Sequence, residues 1–340
     1  MEIREPERLT PVVGEADVVV VGSGPGGLSA AIAAARAGVS VILIERFGCF
    51  GGNITSVGVE GFAWYRHEKT IEAGGLAFEY EQRAIENNAA VPESQSKSYE
   101  LDSEGFKVVA DNLVLKAGVR PMLHRAFCSP ILEGNEIRGV ITESKAGREA
   151  IMGKIIIDAT GDADVARRSG VTVFKNSKDD MISASVMFHM SGVNKEEFMD
   201  EIKRDPQKYS DWSDKNWQVQ TSGKEDDMFS PFLRKPFEKA KDSGLIDSDL
   251  QTISGTWGAI HDSGELTYLN LVHLNGIDGT DPESLTKGEI EGRKAALEAI
   301  AALKEYMPGC SAGKLRNFGM TIGIRDTYKI DSEYNLSDED

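Results

Sequence analysis

Cysteine is scarce: the 340 residues hold three, Cys49, Cys128 and Cys310. They form no CxxC pair, no zinc spacing and no even set, which excludes a disulfide framework and a sequence-local metal site. Long apolar runs are missing as well. Nothing approaches the roughly 20 consecutive residues of a membrane span, and the opening MEIREPERLTPVV has no apolar signal core. A cytoplasmic protein with no membrane partner is the expectation. Basic residues are also short, 38 Lys and Arg against 55 Asp and Glu, for a net charge of −17. Such a surface repels phosphate backbones and argues against a nucleic-acid partner. It leaves room for an anionic cofactor, because helix N-termini bind phosphate whatever the global charge. No cluster has metal-ligand spacing, so no metal is expected.

What is present is an ordinary globular composition, 40% hydrophobic and 27% charged, in a chain long enough for two domains. Residues 1–15 read as an extended arm. Ala16–Val21 is an apolar run followed by glycines, the pattern of a buried parallel strand. Pro25–Ala37 is alanine-rich and stops at Gly38, which predicts a helix with a glycine at its C′ position. Val39–Ile44 reads as a second buried strand, completing a βαβ unit.

Further along, Phe106, Val109, Ala110, Leu113, Val114 and Ala117 recur at helical spacing, and Val119–Phe127 reads as a strand. Glu136–Ile157 predicts strands with a turn at Ala146-Gly147. Ile155–Ala159 reads as a buried strand leading into Thr160-Gly161-Asp162. From about 175 to 282 the character changes: helical patches rich in Lys and Asp (195–250) alternate with strand-like runs at 183–190 and 266–274. Thr286 to Glu289 has the form of a capping box. It predicts the start of a helix carrying Ile290, Leu297, Ile300, Leu303 and Met307 on one side and stopped by Pro308-Gly309. The tail from Asp331 holds five acids in ten residues. These features divide the chain into a dinucleotide-binding part at 1–175, an inserted mixed α+β substrate domain at 176–282, and a return at 283–340.

The strongest motif is Gly22-Ser23-Gly24-Pro25-Gly26-Gly27, answered by Glu45 at the end of the second strand. A bare GxGxxG is weak; here it follows a buried strand and opens a helix. Gly22 permits the tight turn, Gly24 lets the backbone approach a pyrophosphate, and Gly27 lets the helix pack close to the sheet. The helix N-terminus supplies N–H donors and partial positive charge. Glu45 can accept from ribose hydroxyls and disfavours a 2′-phosphate, which makes NADP the least suitable dinucleotide. The bland alternative is a structural βαβ unit with no ligand. Two more glycine turns tip the choice between NAD and FAD. Arg46 to Asn53 carries the pair Gly51-Gly52, and Ile157 to Asp162 carries Gly161. Each alone is an ordinary loop glycine, whereas together they suit a long, extended dinucleotide.

The segments PVVGEADVVVVGSGPGGLSAAIAAARAG, LIERFGCFGGNIT, GKIIIDATGDADVA and GIRDTYKIDSEYNLSDED resemble the FAD-dependent oxidoreductases related in fold to glutathione reductase and fumarate reductase. The resemblance covers most of the chain. It departs at Asp326, where Glu is usual, and at Tyr328, where Arg is common. It implies an α/β, Rossmann-like FAD-binding domain with an inserted substrate domain. It further implies that Gly22, Gly24 and Gly27 surround the FAD pyrophosphate and that Glu45 holds the adenosine ribose. Arg46, Gly51, Gly52 and Asn53 would run past the phosphates towards the isoalloxazine. Ala126 and Phe127 would meet the adenine through the backbone, Thr160, Gly161 and Asp162 would close the site, and Arg325 would lie near the flavin and substrate. Such proteins continue into a further glycine-rich segment of type GQAAG, so a C-terminally truncated fragment is the expectation. There is no CxxxxC for disulfide reduction, no second GxGxxG for a bound nicotinamide nucleotide, and no His beside Gly51-Gly52 for a histidyl–flavin bond. Cys49 lies near that place and reads as a small buried hydrophobe.

Acid–base candidates are scattered. His261, in Ile-His-Asp-Ser-Gly, reads as a solvated hairpin turn. His273 alternates with Leu269 and Leu271 on a strand, with Asn270 nearby; it is either a core histidine or a proton acceptor suited to neutral pH. Trp64, Tyr65, Arg66 and His67 form a substrate wall or a capped helix edge, and His124 and His189 carry no signal. The expectation is a flavoenzyme that moves a hydride from a small organic substrate to flavin, with His273 as base and Arg325 as the positive charge. An NAD-binding dehydrogenase and a non-catalytic nucleotide-binding fragment are the alternatives.

Overall fold

A computed structural model of the chain describes residues 2–61, 66–67, 71–72, 74–92, 99–205 and 232–334. Trp64, Tyr65, the side chains of Arg66 and His67, residues 206–231 of the Lys- and Asp-rich stretch and the last six residues of the acidic tail lie outside the described residues. The chain divides into two compact units. The first comprises Met1–Gly52, Ala110–Phe174 and Tyr328–Asp340, the second Asn53–Val109 and Lys175–Thr327. Residues 53–109 and 283–327 thus fall in the second unit, unlike the bounds drawn from sequence. Their contacts there are long-range: Glu60 with His189, Glu100 with Thr267, and Glu289 with Ile322.

In the first unit the strands β1 (Val12–Val21), β2 (Val41–Ile44), β3 (Arg120–Met122), β4 (Ala126–Glu133), β5 (Glu136–Ser144) and β6 (Gly147–Asp158) form one sheet in the order β3-β2-β1-β6-β5-β4. Strands β3, β2, β1 and β6 run parallel, and β5 and β4 add antiparallel. Val18 to Val21 are all buried because a parallel strand inside such a sheet is covered on both faces. Helix α1 (Pro25–Arg36) follows, with proline in its first turn and Gly38 at φ +91° just beyond its end. Ala16, Val19, Val21, Ile42, Ile44, Met122, Val140 and Ile151 share one core.

Three expectations change here. The arm joins the sheet from Val12 onward. The run Val119–Phe127 splits into two strands, with His124 at φ +57° between them, so the chain leaves the parallel β3 and re-enters the sheet as the antiparallel β4. Ile155, expected to be buried, is 59% exposed, and Ile156 and Ile157 after it are half-buried.

In the second unit the strands β7 (Ala184–Ser185), β8 (Phe188–Ser191), β9 (Phe232–Leu233), β10 (Ile253–Thr256), β11 (Leu266–Leu274) and β12 (Lys314–Phe318) form a second sheet. Its order is β9-β10-β11-β8-β12, with β7 also paired to β11. Helix α2 (Pro282–Tyr306) packs on it. Asp281 caps this helix, accepting from the N–H of Glu283 at 3.1 Å. Thr286 therefore sits inside the helix, its hydroxyl donating back to the carbonyl of Pro282. The Asp-Pro pair outcompetes the capping box. The buried face combines small residues, Gly288, Gly292, Ala295, Ala296, Ala299 and Ala302, with Ile300 and Leu303, and Met307 just past the helix is buried too, as expected. A Cβ at Gly292 would lie 2.2 Å from Val186 Cγ2. Ile290 and Leu297, expected on the apolar side, are 61% and 52% exposed, because the helix approaches the sheet through its glycines and alanines.

Candidate functional site

The parallel strands β2, β1 and β6 end side by side, and the three glycine turns leave from those ends. Gly22, at φ +96°, follows β1; a Cβ there would lie 2.2 Å from the carbonyl oxygen of Ala159, in the turn after β6. At Gly27 a Cβ would lie 2.0 Å from the carbonyl oxygen of Gly22, so only glycine lets α1 start so close to the strand. Gly52, at φ +51°, has Gly24 Cα 2.5 Å from its Cβ position, and the N–H of Gly51 donates to the Ser23 carbonyl at 2.9 Å. The backbone itself fills every one of these positions.

Gly24 differs. A Cβ there would meet nothing within 4 Å, and the same holds at Gly26. The first turn of α1 has no side-chain cap and no acidic residue. An open cradle of glycine backbone at an uncapped helix start fits a pyrophosphate.

Glu45 is buried. One carboxylate oxygen accepts from the Ser23 N–H at 3.0 Å and the Ser23 hydroxyl at 2.6 Å, and the other from the Phe47 N–H at 2.8 Å. It thus ties the glycine turn to the end of β2. Arg125 donates its N–H to the Glu45 carbonyl, which brings Ala126 and Phe127 alongside. Arg46 is exposed, its guanidinium carbon 4.6 Å from the Phe47 ring centroid. Cys49 is buried. After β6, Asp158 holds the third turn: it accepts from the N–H and hydroxyl of Thr160 and from the N–H of Ala166. Thr160 in turn accepts from the N–H of Asp164. Gly161 has φ +87° with open space at its Cβ position, and Asp162 is half-buried. Asp158 was passed over in the sequence because it is a strand-end residue flanked by the more conspicuous glycine turn.

Asn53 opens the second unit with a π-helical turn, Asn53–Val57, its carbonyl accepting from Gly58 and Val59. His273 and Arg325 also belong to this unit. His273 is half-buried on β11 and lines a cavity of about 590 Å³. Burial pushes its pKa below 6.5, the carbonyls of Ser254 and Asn270 oppose that, and the charge of Arg325 adds to it. Arg325 itself is exposed, and its neighbour Asp326 is buried, accepting from Asn176 at 2.7 Å.

Because the folded His273 resists protonation, its contribution to stability is complete above the unfolded value near 6.5 and is lost as pH falls through the folded value. His273→Gln should therefore lose less stability than the parent between about pH 7 and pH 5, read by urea denaturation. An equal loss in both would place the proton uptake elsewhere, with His261 next in line.

His261 is less solvated than its turn sequence implies. Its ring Nε2 lies 3.2 Å from the Thr267 hydroxyl, which donates to the buried Glu100 at 3.2 Å, and burial lowers its pKa. His189, which offered no signal, is buried with its Nε2 3.3 Å from Glu60 Oε2, while the other Glu60 oxygen accepts from the Ser103 N–H. No local pattern connects residues so distant in sequence, and only the fold pairs them.

The fold and the three converging turns define an FAD-binding α/β protein. The sequence profile of the family described as FAD dependent oxidoreductase matches residues 17–340. The chain belongs to this family, an enzyme family whose cofactor is FAD. Thiamine thiazole synthase of Saccharolobus islandicus is 33% identical over 162 residues, 44% of this chain and 57% of the relative. The same enzyme of Sulfolobus acidocaldarius is 31% identical over equal shares. The chain thus spans little more than half the length of these curated relatives. Among solved structures, a myxobacterial chondrochloren halogenase superposes with a TM-score of 0.54 at 14% identity, over 95% of this chain and 66% of that one. A geranylgeranyl bacteriochlorophyll reductase-like protein of Thermoplasma acidophilum gives 0.52 at 15% identity, over 91% and 66%. At such identities these two share a fold. No helix among the described residues is long and apolar enough to cross a membrane.

Proposed function

We propose that the protein oxidises a small organic molecule by transfer of a hydride to FAD. The observation that carries this reading is the open backbone cradle at Gly24, flanked by the turns after β2 and β6 and backed by the fixed carboxylate of Glu45. When bound, FAD supplies the two-electron acceptor. Gly24, Gly26 and the start of α1 bind its pyrophosphate; Glu45 has lone pairs beyond its three accepted hydrogen bonds and takes a ribose hydroxyl. Thr160, Gly161 and Asp162, held by Asp158, bound the site beyond β6. In the second unit, burial keeps the imidazole of His273 neutral at neutral pH, as a proton acceptor requires. Arg325 is the cation for a substrate anion or for charge developing on the reduced cofactor.

The experiment is anaerobic mixing of the FAD-loaded protein with a panel of alcohols, amines and hydroxy acids while flavin absorbance near 450 nm (roughly, as for free flavin) is followed. Bleaching by one class supports hydride transfer. Flavin that dithionite reduces but no organic donor bleaches would leave a nucleotide-binding protein and overturn the catalytic reading.

A further inference from the structure

The cavity beside His273 lies wholly within the second unit, and its lining is chemically uneven. At about 590 Å³ it is within the roughly 300–1,000 Å³ of small-molecule sites. Ser183, Gln251, Thr256, Asn270 and Asn275 bring hydroxyls and carboxamides to it, groups that both donate and accept. No carboxylate lines it among the described residues. Among the described lining residues, apolar side chains come from Phe232 and Leu250, and the cation is Arg234, which pairs with Glu238 at 2.9 Å.

A backbone device shapes this lining. Thr256 pairs with Asn270 across β10 and β11, while Ile253 pairs with Val272, so the register shifts between them. The shift centres on Gly255, at φ +153°, where a Cβ would lie 2.0 Å from the Asn270 carbonyl and 2.9 Å from His273 Nε2. Asn270 and His273, three apart on β11, both line the cavity beside it. The side-chain oxygen of Asn270 is buried with no hydrogen-bond partner among the described residues, an acceptor that a ligand hydroxyl would satisfy.

We propose that this cavity binds a polyhydroxylated small molecule, a sugar alcohol or sugar acid. Vicinal hydroxyls both donate and accept, as the lining does, and the C–H face of such a molecule suits the Phe232 ring. Ser183 is bonded to Asn275 and Ser254 to the Leu250 carbonyl, so Thr256, Asn270 and Gln251 carry the recognition. The inference rests on the oxidative reading above: oxidation of an alcohol to a carbonyl compound would release a hydride, which FAD would accept, and a hydroxyl proton, for which the neutral His273 would be the acceptor.

The test is calorimetric titration of the FAD-loaded full chain with D-sorbitol, D-gluconate and hexanoate, the last matching gluconate in carbon count and charge but lacking hydroxyls. Either polyol should bind at least about tenfold more tightly than hexanoate, the worth of one or two well-made hydrogen bonds. Sorbitol and gluconate binding alike assigns recognition to the hydroxyls; gluconate alone adds the guanidinium of Arg234. Asn270→Leu should weaken the polyol about tenfold or more with FAD affinity unchanged. Thr256→Val, which removes one hydroxyl at nearly constant volume, should weaken it less and guards against a misfolded first variant. Equal affinity for hexanoate, or polyol binding untouched in both folded variants, would overturn the proposal. Binding without flavin bleaching would support the site and count against the oxidative reading alone.

Discussion

Gly24→Val and Gly27→Val, three residues apart in one turn, should fail in opposite ways. At Gly24 the new side chain enters open space, so the fold survives. It then occupies the pyrophosphate cradle and displaces at least two charge-assisted hydrogen bonds of about 1.5–3 kcal/mol each. FAD affinity should fall by about a hundredfold or more, with the thermal melt of the apoprotein unchanged. At Gly27 the Cβ would sit 2.0 Å from the Gly22 carbonyl oxygen, and no side-chain rotation relieves a backbone contact. Overpacking of this kind costs about 3 kcal/mol or more, so the apoprotein itself should be destabilised or insoluble. A stable Gly24→Val protein that binds FAD normally would remove the cradle from the site. A Gly27→Val protein with an unchanged melt would mean that α1 can retreat from the sheet.

Glu45→Ala should carry the next largest effect, and on two readouts. In the parent, Glu45 accepts from two backbone N–H groups and one hydroxyl, all at the buried junction of β1 and β2. Deleting it leaves these donors without their acceptor, at about 1–3 kcal/mol each when no water reaches them. The apoprotein should lose about 2–5 kcal/mol of stability. FAD should bind at least about tenfold more weakly, because the ribose acceptor and the anchor of the glycine turn go together. Glu45→Gln keeps one acceptor oxygen and should fall between. Stability lost with FAD affinity intact would make Glu45 a fastener of the turn that never meets the ribose.

The βαβ unit was legible because its information is local. Four buried valines, a glycine turn, an alanine-rich helix with Pro25 at one end and Gly38 at the other, and Glu45 all lie within one short span. The glycines were legible by type but not by task. Gly22 and Gly27 answer to backbone crowding and Gly24 to open space, a distinction that depends on where Ala159 and the Gly22 carbonyl fall. The start of α2 was misplaced because Thr286 and Glu289 imitate a cap that Asp281-Pro282 supplies one turn earlier. Its buried face was half legible: Ile300, Leu303 and Met307 are buried as expected, whereas Ile290 and Leu297 are not, because a close helix–sheet approach selects glycine and alanine, which a search for large apolar residues passes over. The pairs Glu60–His189 and Glu100–Thr267 were beyond reach, since each is joined only by tertiary contacts.

The interleaving of the two units has a consequence for synthesis. The chain leaves and re-enters the first unit, and β1 pairs with β6 from Val12 with Ala150 to Val21 with Asp158. A ribosome adding about 5–20 residues per second therefore releases the valines of β1 on the order of ten seconds before their central partner exists. During that interval an apolar strand with two open edges is in solution. A holding chaperone, or an early docking of β1 onto β2 and α1, has to cover it. Codon changes that slow translation between residues 45 and 147 should lower soluble yield without altering the finished protein.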